Sequence, residues 1–155
     1  MLRTRATVIG LVTLGLGVTA VGVANADPGS GGTSVVIGSG QAEDSFQIRQ
    51  RAGNDVVMVQ NTFAPGGFSG WHSHPGLVLI IVQSGQITIF RERVTGGRCR
   101  VHTYQTGEVF LEHPGDEQNG VNRGTVPAVV AVTFFNVPHA TSTRIERTAP
   151  TNCPA

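Results

Sequence analysis

Residues 66–85 read GGFSGWHSHPGLVLIIVQSG. Within this stretch, 77–82 is continuously apolar, as for a strand covered on both faces, and Ser84-Gly85 turns it into a second run at 86–93. Working outward, an upstream run at 56–63 stops at Pro65-Gly66-Gly67, and Arg51-Ala52-Gly53-Asn54-Asp55 forms a turn before it. Further back, 44–49 alternates, with Phe46 and Ile48 on one face. Downstream, Gly96-Gly97 opens a turn before 99–104, and Thr106-Gly107 turns into 108–111. The last strong run, 128–135, is flanked by Pro127 and Pro138. Short runs at fairly regular spacing, with no 3.6-period stretch of useful length and no tandem repeat, predict an all-β sandwich or barrel in a single domain.

Composition agrees. The chain has 155 residues, 21 of them Gly, and only 14% are charged. Long surface helices laced with Glu–Lys pairs are not expected from this, and every one of the 11 basic residues is Arg. A near-neutral domain with no cationic run has no electrostatic footprint for nucleic acid or an anionic membrane.

Residues 1–26 read as a secretory signal. Arg3 and Arg5 precede the apolar run 6–23, and Ala24-Asn25-Ala26 supplies the small-x-small cleavage pattern. A membrane anchor would need a similar length of apolar chain. Against it stand Gly10, Gly15, Gly17 and Gly22 inside the run, and Asp27-Pro28-Gly29 where a basic flank would follow. No Cys sits at the cleavage point to carry a lipid. The expected organisation is a signal peptide at 1–26, a flexible Gly/Ser-rich arm at 27–43, a barrel at 44–140 and a C-terminal tail at 141–155. The expected location is secreted or in the cell envelope, with no membrane contact in the mature form, as a monomer or homodimer.

Export changes how the cysteines read. Cys99 and Cys153 form an even pair outside the leader, which favours a disulfide tying the tail to a mid-chain strand. A loop of that length contributes about 4 kcal/mol in the chain-entropy account. Two free thiols or a metal pair are the alternatives, the latter weakened by the lack of CxxC spacing.

His72-Ser73-His74 carries the chemistry. In an extended strand, residues i and i+2 share a face, so both imidazoles can converge on one small object. Neutral imidazole suits Zn, Cu, Fe and Ni.

Gly66-(x5)-His72-x-His74-(x3)-Val78-(x6)-Gly85 resembles the first motif of the cupin superfamily, G(x5)HxH(x3–4)E(x6)G. Gly107-(x5)-His113-x-Gly115-(x2)-Gln118-(x3)-Asn122 partly resembles the second, G(x5)PxG(x2)H(x3)N. The resemblance covers about residues 56–135 and implies a small antiparallel jelly-roll barrel. It also implies one divalent metal inside, held by the two His of the first motif, its Glu and the His of the second. Here the family Glu is Val78, the second-motif His is Gln118 and the family Pro is His113. The resemblance therefore carries over His72 and His74 as ligands, with Gln118 as the third. A one-residue change of register in the loop 112–122 would bring His113, Glu112 or Glu117 inward instead. A carboxylate in the set makes two His and one acid, as in non-haem iron sites. Without one, Zn or Cu is favoured over Fe, Ni or Mn; the alternative is a metal-free barrel in which the histidines only hydrogen-bond.

The other polar residues read more plainly. His102 is a surface imidazole on an alternating strand, His139 is solvated, and Glu108 is a rim residue at a strand entrance. Trp71 points away from the histidines and packs. The expected functions are an exported metalloenzyme acting on a small organic molecule, such as an oxidoreductase, or a non-catalytic module binding a small molecule or sugar. A packing role in the cell envelope is the plainest reading.

Overall fold

The computed structural model describes residues 30–92 and 99–153. The leader at 1–26 and the Gly96-Gly97 turn lie outside these residues. Contacts divide the chain into Met1–Ser34 and Val35–Ala155. Of the first unit, the described residues 30–34 are exposed and form no strand; all that follows concerns the second.

That second unit is all strand. Its elements are β1 (Gln41–Ala42), β2 (Asn54–Phe63), β3 (His72–Ser73), β4 (Val78–Ser84) and β5 (Gln86–Arg91). They continue with β6 (Arg100–Gln105), β7 (Glu108–Glu112), β8 (Gln118–Val121), β9 (Ala128–Pro138) and β10 (Ile145–Glu146). Two five-stranded sheets result, ordered β1-β7-β4-β9-β2 and β10-β3-β8-β5-β6. Every ladder is antiparallel except that of β1 with β7, which is parallel. Among the described residues no ladder joins one sheet to the other, so the jelly roll is an open sandwich of two sheets and not a closed barrel.

The apolar run that decides the fold becomes β4, flanked by β7 and β9. Its side chains alternate: Val78, Ile80 and Val82 are buried, while Leu79 and Ile81 on the other face are half-buried. The buried set meets Ile87 and Ile89 of β5, Phe110 of β7, and Val130, Val132 and Phe134 of β9. Each such side chain contributes about 1.5–3 kcal/mol on burial. Gly85 makes the β4–β5 turn with φ 71°, and a Cβ there would come within 2.6 Å of the Pro127 carbonyl oxygen. Only glycine meets both conditions.

On the far face of the second sheet, Trp71, Phe90 and Cys153 form a smaller core, with Cys99 and Val121 against it. Arg123 stacks over the Phe90 ring at 4.6 Å. Cys99 and Cys153 are joined, with their Cα atoms 4.8 Å apart, so the tail closes over this face.

One expected strand is missing. Residues 44–49 alternate in sequence but make no ladder, and Phe46 and Ile48 stay substantially exposed. The edge of β7 is instead taken by β1 just upstream, which pairs Gln41 with Glu108 and Ala42 with Val109. The three short strands β3, β8 and β10 were not expected as separate elements, and they surround the histidines.

Candidate metal centre

β3 is only two residues long, but it is held on both sides. His72 pairs with Gln118 of β8, and Glu146 and Ile145 of β10 pair with His72 and Ser73. Strand alternation then sends His72 and His74 inward, where both are buried, and Trp71 outward into the smaller core. The Ser73 hydroxyl accepts a hydrogen bond from Arg147 Nε at 3.0 Å.

Each imidazole is oriented by a main-chain carbonyl. His72 Nδ1 lies 2.8 Å from the Gly70 oxygen, and His74 Nδ1 lies 2.7 Å from the Thr143 oxygen. A carbonyl only accepts, so Nδ1 carries the hydrogen in both rings and Nε2 is left with a free lone pair. The rings meet edge to face with centroids 4.7 Å apart, and Phe134 packs 5.2 Å from His74. Burial lowers the His72 pKa below its ordinary value of 6.5, outweighing the Gly70 hydrogen bond that raises it.

Glu112 completes the cluster. It ends β7, is buried, and stands in register with Val78 on β4. Its Oε2 lies 3.1 Å from His74 Nε2. One ligand atom from each of His72, His74 and Glu112 lies within 4.8 Å of the others. With Nδ1 committed, a carboxylate oxygen and an imidazole lone pair face each other at hydrogen-bond distance. Two acceptors so close require a proton or a metal ion between them. Two imidazole nitrogens and one carboxylate fit a divalent transition metal, and both rings carry the carbonyl partner that metal-binding histidines use. A cavity of about 70 Å³ adjoins the three groups, walled by Ile80, Ile89 and Phe134.

Of the other candidate ligands, Gln118 shares the inner face with His72, while Glu117 and His113 do not join the cluster. Gln118 is fully buried, and its Oε1 accepts a hydrogen bond from Arg91 at 3.2 Å. Glu117 pairs with Arg147 at 3.3 Å. His113 borders a separate cleft of about 870 Å³ beneath residues 42–47, with His102, Tyr104, Arg91 and Arg100. Tyr104 stacks on Phe110 at 3.9 Å in its wall. Exposed His139 pairs with Asp55 at 3.0 Å, and the carboxylate raises the imidazole pKa. Glu108 caps its own turn, accepting from the Gln105 amide at 2.6 Å. The register that puts Glu112 inward shows in the sequence only as the loop alternative to Gln118. The carbonyls of Gly70 and Thr143 leave no signal there, because any residue supplies one.

Residues 60–135 match the family described as Cupin domain. Among solved structures, a recombinant oxalate oxidase in complex with glycolate is 24% identical, with 59% of this chain and 45% of that chain covered and a TM-score of 0.51. An uncharacterized conserved protein with a double-stranded beta-helix domain from Klebsiella pneumoniae is 21% identical, with 64% and 81% covered and a TM-score of 0.50. The oxalate decarboxylase formate complex of Lactobacillus farciminis is 18% identical, with 60% and 27% covered and a TM-score of 0.52. These likenesses are of fold, and the chain spans less than half the length of the oxalate oxidase structures it matches. No curated protein matches the chain.

Proposed function

Because the chain belongs to the cupin superfamily, we propose that His72, His74 and Glu112 hold one divalent metal ion inside the sandwich. In this reading the protein is an exported metalloprotein that acts on a small organic molecule. The observation that carries it is the pair of Nδ1 hydrogen bonds to main-chain carbonyls, which leaves the two Nε2 atoms as the nitrogens available beside a buried carboxylate. The ion would supply Lewis-acid or redox chemistry at its open positions. The chain's own part is to fix the imidazole tautomers, to place one negative charge, and to keep the surroundings apolar through Ile80, Ile89 and Phe134. With Glu112 in the set, a missing carboxylate no longer disfavours the harder ions, and Fe²⁺ joins Zn²⁺ and Cu²⁺ as a fit. The cavity beside the three groups is small, about 70 Å³.

Export follows from the leader at 1–26, and the Cys99–Cys153 disulfide is the bond an oxidising compartment maintains. Protein from the culture medium should begin at Asp27. Among the described residues no helix is long and apolar enough to cross a membrane.

A second reading, a binding module without turnover, draws on the 870 Å³ cleft, whose lining includes neither His72, His74 nor Glu112. Metal content of wild type and the His72→Ala/His74→Ala double variant tests the first reading. Equal content in both, or none in the wild type after loading, leaves only the second. Oxygen uptake on small phenols and dicarboxylates then separates catalysis from binding.

A further inference from the structure

Resting on the metal assignment above, we infer that Gln118 is not a fourth protein ligand but the hydrogen-bond donor that orients an anionic ligand on the open side of the ion. Gln118 is completely buried, and its Nε2 has no hydrogen-bond partner. A buried amide donor left unsatisfied costs about 1–3 kcal/mol, so a group at this position calls for an acceptor.

The orientation of the amide is fixed by chemistry. Arg91 Nη2 donates to Gln118 Oε1 at 3.2 Å and to the Leu111 carbonyl at 3.1 Å. A guanidinium has donors only, so the oxygen of the amide must face it and the NH2 group must point elsewhere. Asp116, with Oδ2 3.7 Å from Arg91 Nε, helps hold the guanidinium in place.

Position ties the NH2 group to the metal cluster. Gln118 is the cross-strand partner of His72 and so shares its inward face. The same guanidinium nitrogen bridges Gln118 to Leu111, the residue before Glu112. The amide therefore shares the inner face with His72, and Arg91 links it to the strand that carries Glu112. Two neutral imidazoles and one carboxylate leave a divalent ion with one net positive charge, which favours an anion as the exogenous ligand. Arg91 behind the amide polarises the N–H bonds toward that anion.

The test uses the full mature chain loaded with Cu²⁺, with azide as the probe anion. Calorimetry gives Cu²⁺ affinity, and the ligand-to-copper absorption band gives azide affinity. Gln118→Met should bind Cu²⁺ within about threefold of wild type and azide roughly tenfold or more weakly, the loss expected for a hydrogen bond to a charged acceptor. Unchanged azide affinity overturns the inference. So does weakened Cu²⁺ binding with azide affinity per bound ion preserved, which makes Gln118 a ligand. A readout independent of any substitution is the assigned Gln118 side-chain amide resonance of the Zn²⁺ form. It should shift on addition of azide and stay still in the metal-free protein; no shift in the Zn²⁺ form overturns the donor role. A wild type that binds neither ion overturns the metal assignment itself, a result distinct from all of these.

Discussion

Val78 and Glu112 face each other in register across β4 and β7. Val78 occupies the position where the family's first motif has its acidic ligand, and Glu112 brings a carboxylate to the same inner face one strand away. Cross-strand partners have Cβ atoms about 4.5–5.5 Å apart, within the reach of a glutamate side chain. On the proposed assignment, the acid comes from the neighbouring strand. Glu112→Val should therefore abolish metal binding, with a loss beyond the roughly 10–100-fold that removing an outer-shell partner costs. Adding Val78→Glu to that variant should restore much of the affinity. Metal titration of the single and double variants checks this, and an Glu112→Val protein with wild-type affinity would rule the carboxylate out as a ligand.

The same pair shows what the sequence can and cannot convey. Alternation and turn residues place β2, β4, β5, β6, β7 and β9 to within a few residues, because each packs apolar side chains against the core and ends at Gly, Pro or a polar cluster. His72 and His74 were legible because i, i+2 parity is a local property. Glu112 was harder to place, since its partner is set by the β4–β7 register, and register is a long-range property that one residue of slip reverses. Phe46 and Ile48 show the opposite failure: the pattern of a strand is present, but no ladder forms there and both side chains stay substantially exposed. β3, β8 and β10 are too short for any period to show, and the tertiary ladder alone makes them strands.

A pH dependence follows from His72. Burial holds its folded pKa below 6.5, so as pH falls through that value the unfolded chain takes up a proton that the folded chain refuses. The stability is present above about pH 6.5 and is lost as pH falls toward the folded value. The urea midpoint of metal-free protein should be flat from pH 8 to 7 and decline from pH 7 to 5, with a smaller decline in His72→Asn. An equal slope in that variant would assign the effect to other groups.

Asn122, fully buried, ties three segments together. Its Nδ2 donates to the Phe63 and Val126 carbonyls, both at 2.8 Å, and its Oδ1 accepts from the Gly124 amide at 2.9 Å. Asn122→Ala leaves the Phe63 and Val126 carbonyls and the Gly124 amide without this partner. It should cost roughly 2–3 kcal/mol, measured by urea denaturation. Asn122→Asp, which keeps the acceptor but sets a buried carboxylate oxygen against two carbonyl oxygens, should cost at least as much. A loss under half a kcal/mol in the alanine variant would mean that water replaces all three bonds.

The disulfide and Trp71 should report on each other. Cys99 and Cys153 close a loop of 54 residues in sequence separation, and Cys153 packs with Phe90 and the sole tryptophan in one small core. Loop closure alone contributes about 4 kcal/mol against the unfolded chain in the entropy account. The tail also has a local role: Cys153 packs in one cluster with Trp71, which is 6% exposed, while the main core around Val78 and Ile80 lies on the other face of the second sheet. The Cys99→Ser/Cys153→Ser variant should therefore lose stability in two separable ways. At low denaturant, tryptophan emission should shift to longer wavelength as the tail detaches, before the sheet signal in far-ultraviolet circular dichroism changes. At higher denaturant, the main transition should move down by up to about 4 kcal/mol. In the oxidised wild type the two signals should change together. Coincident transitions in the serine variant, with emission unchanged in native buffer, would show that apolar packing holds the tail without the bond.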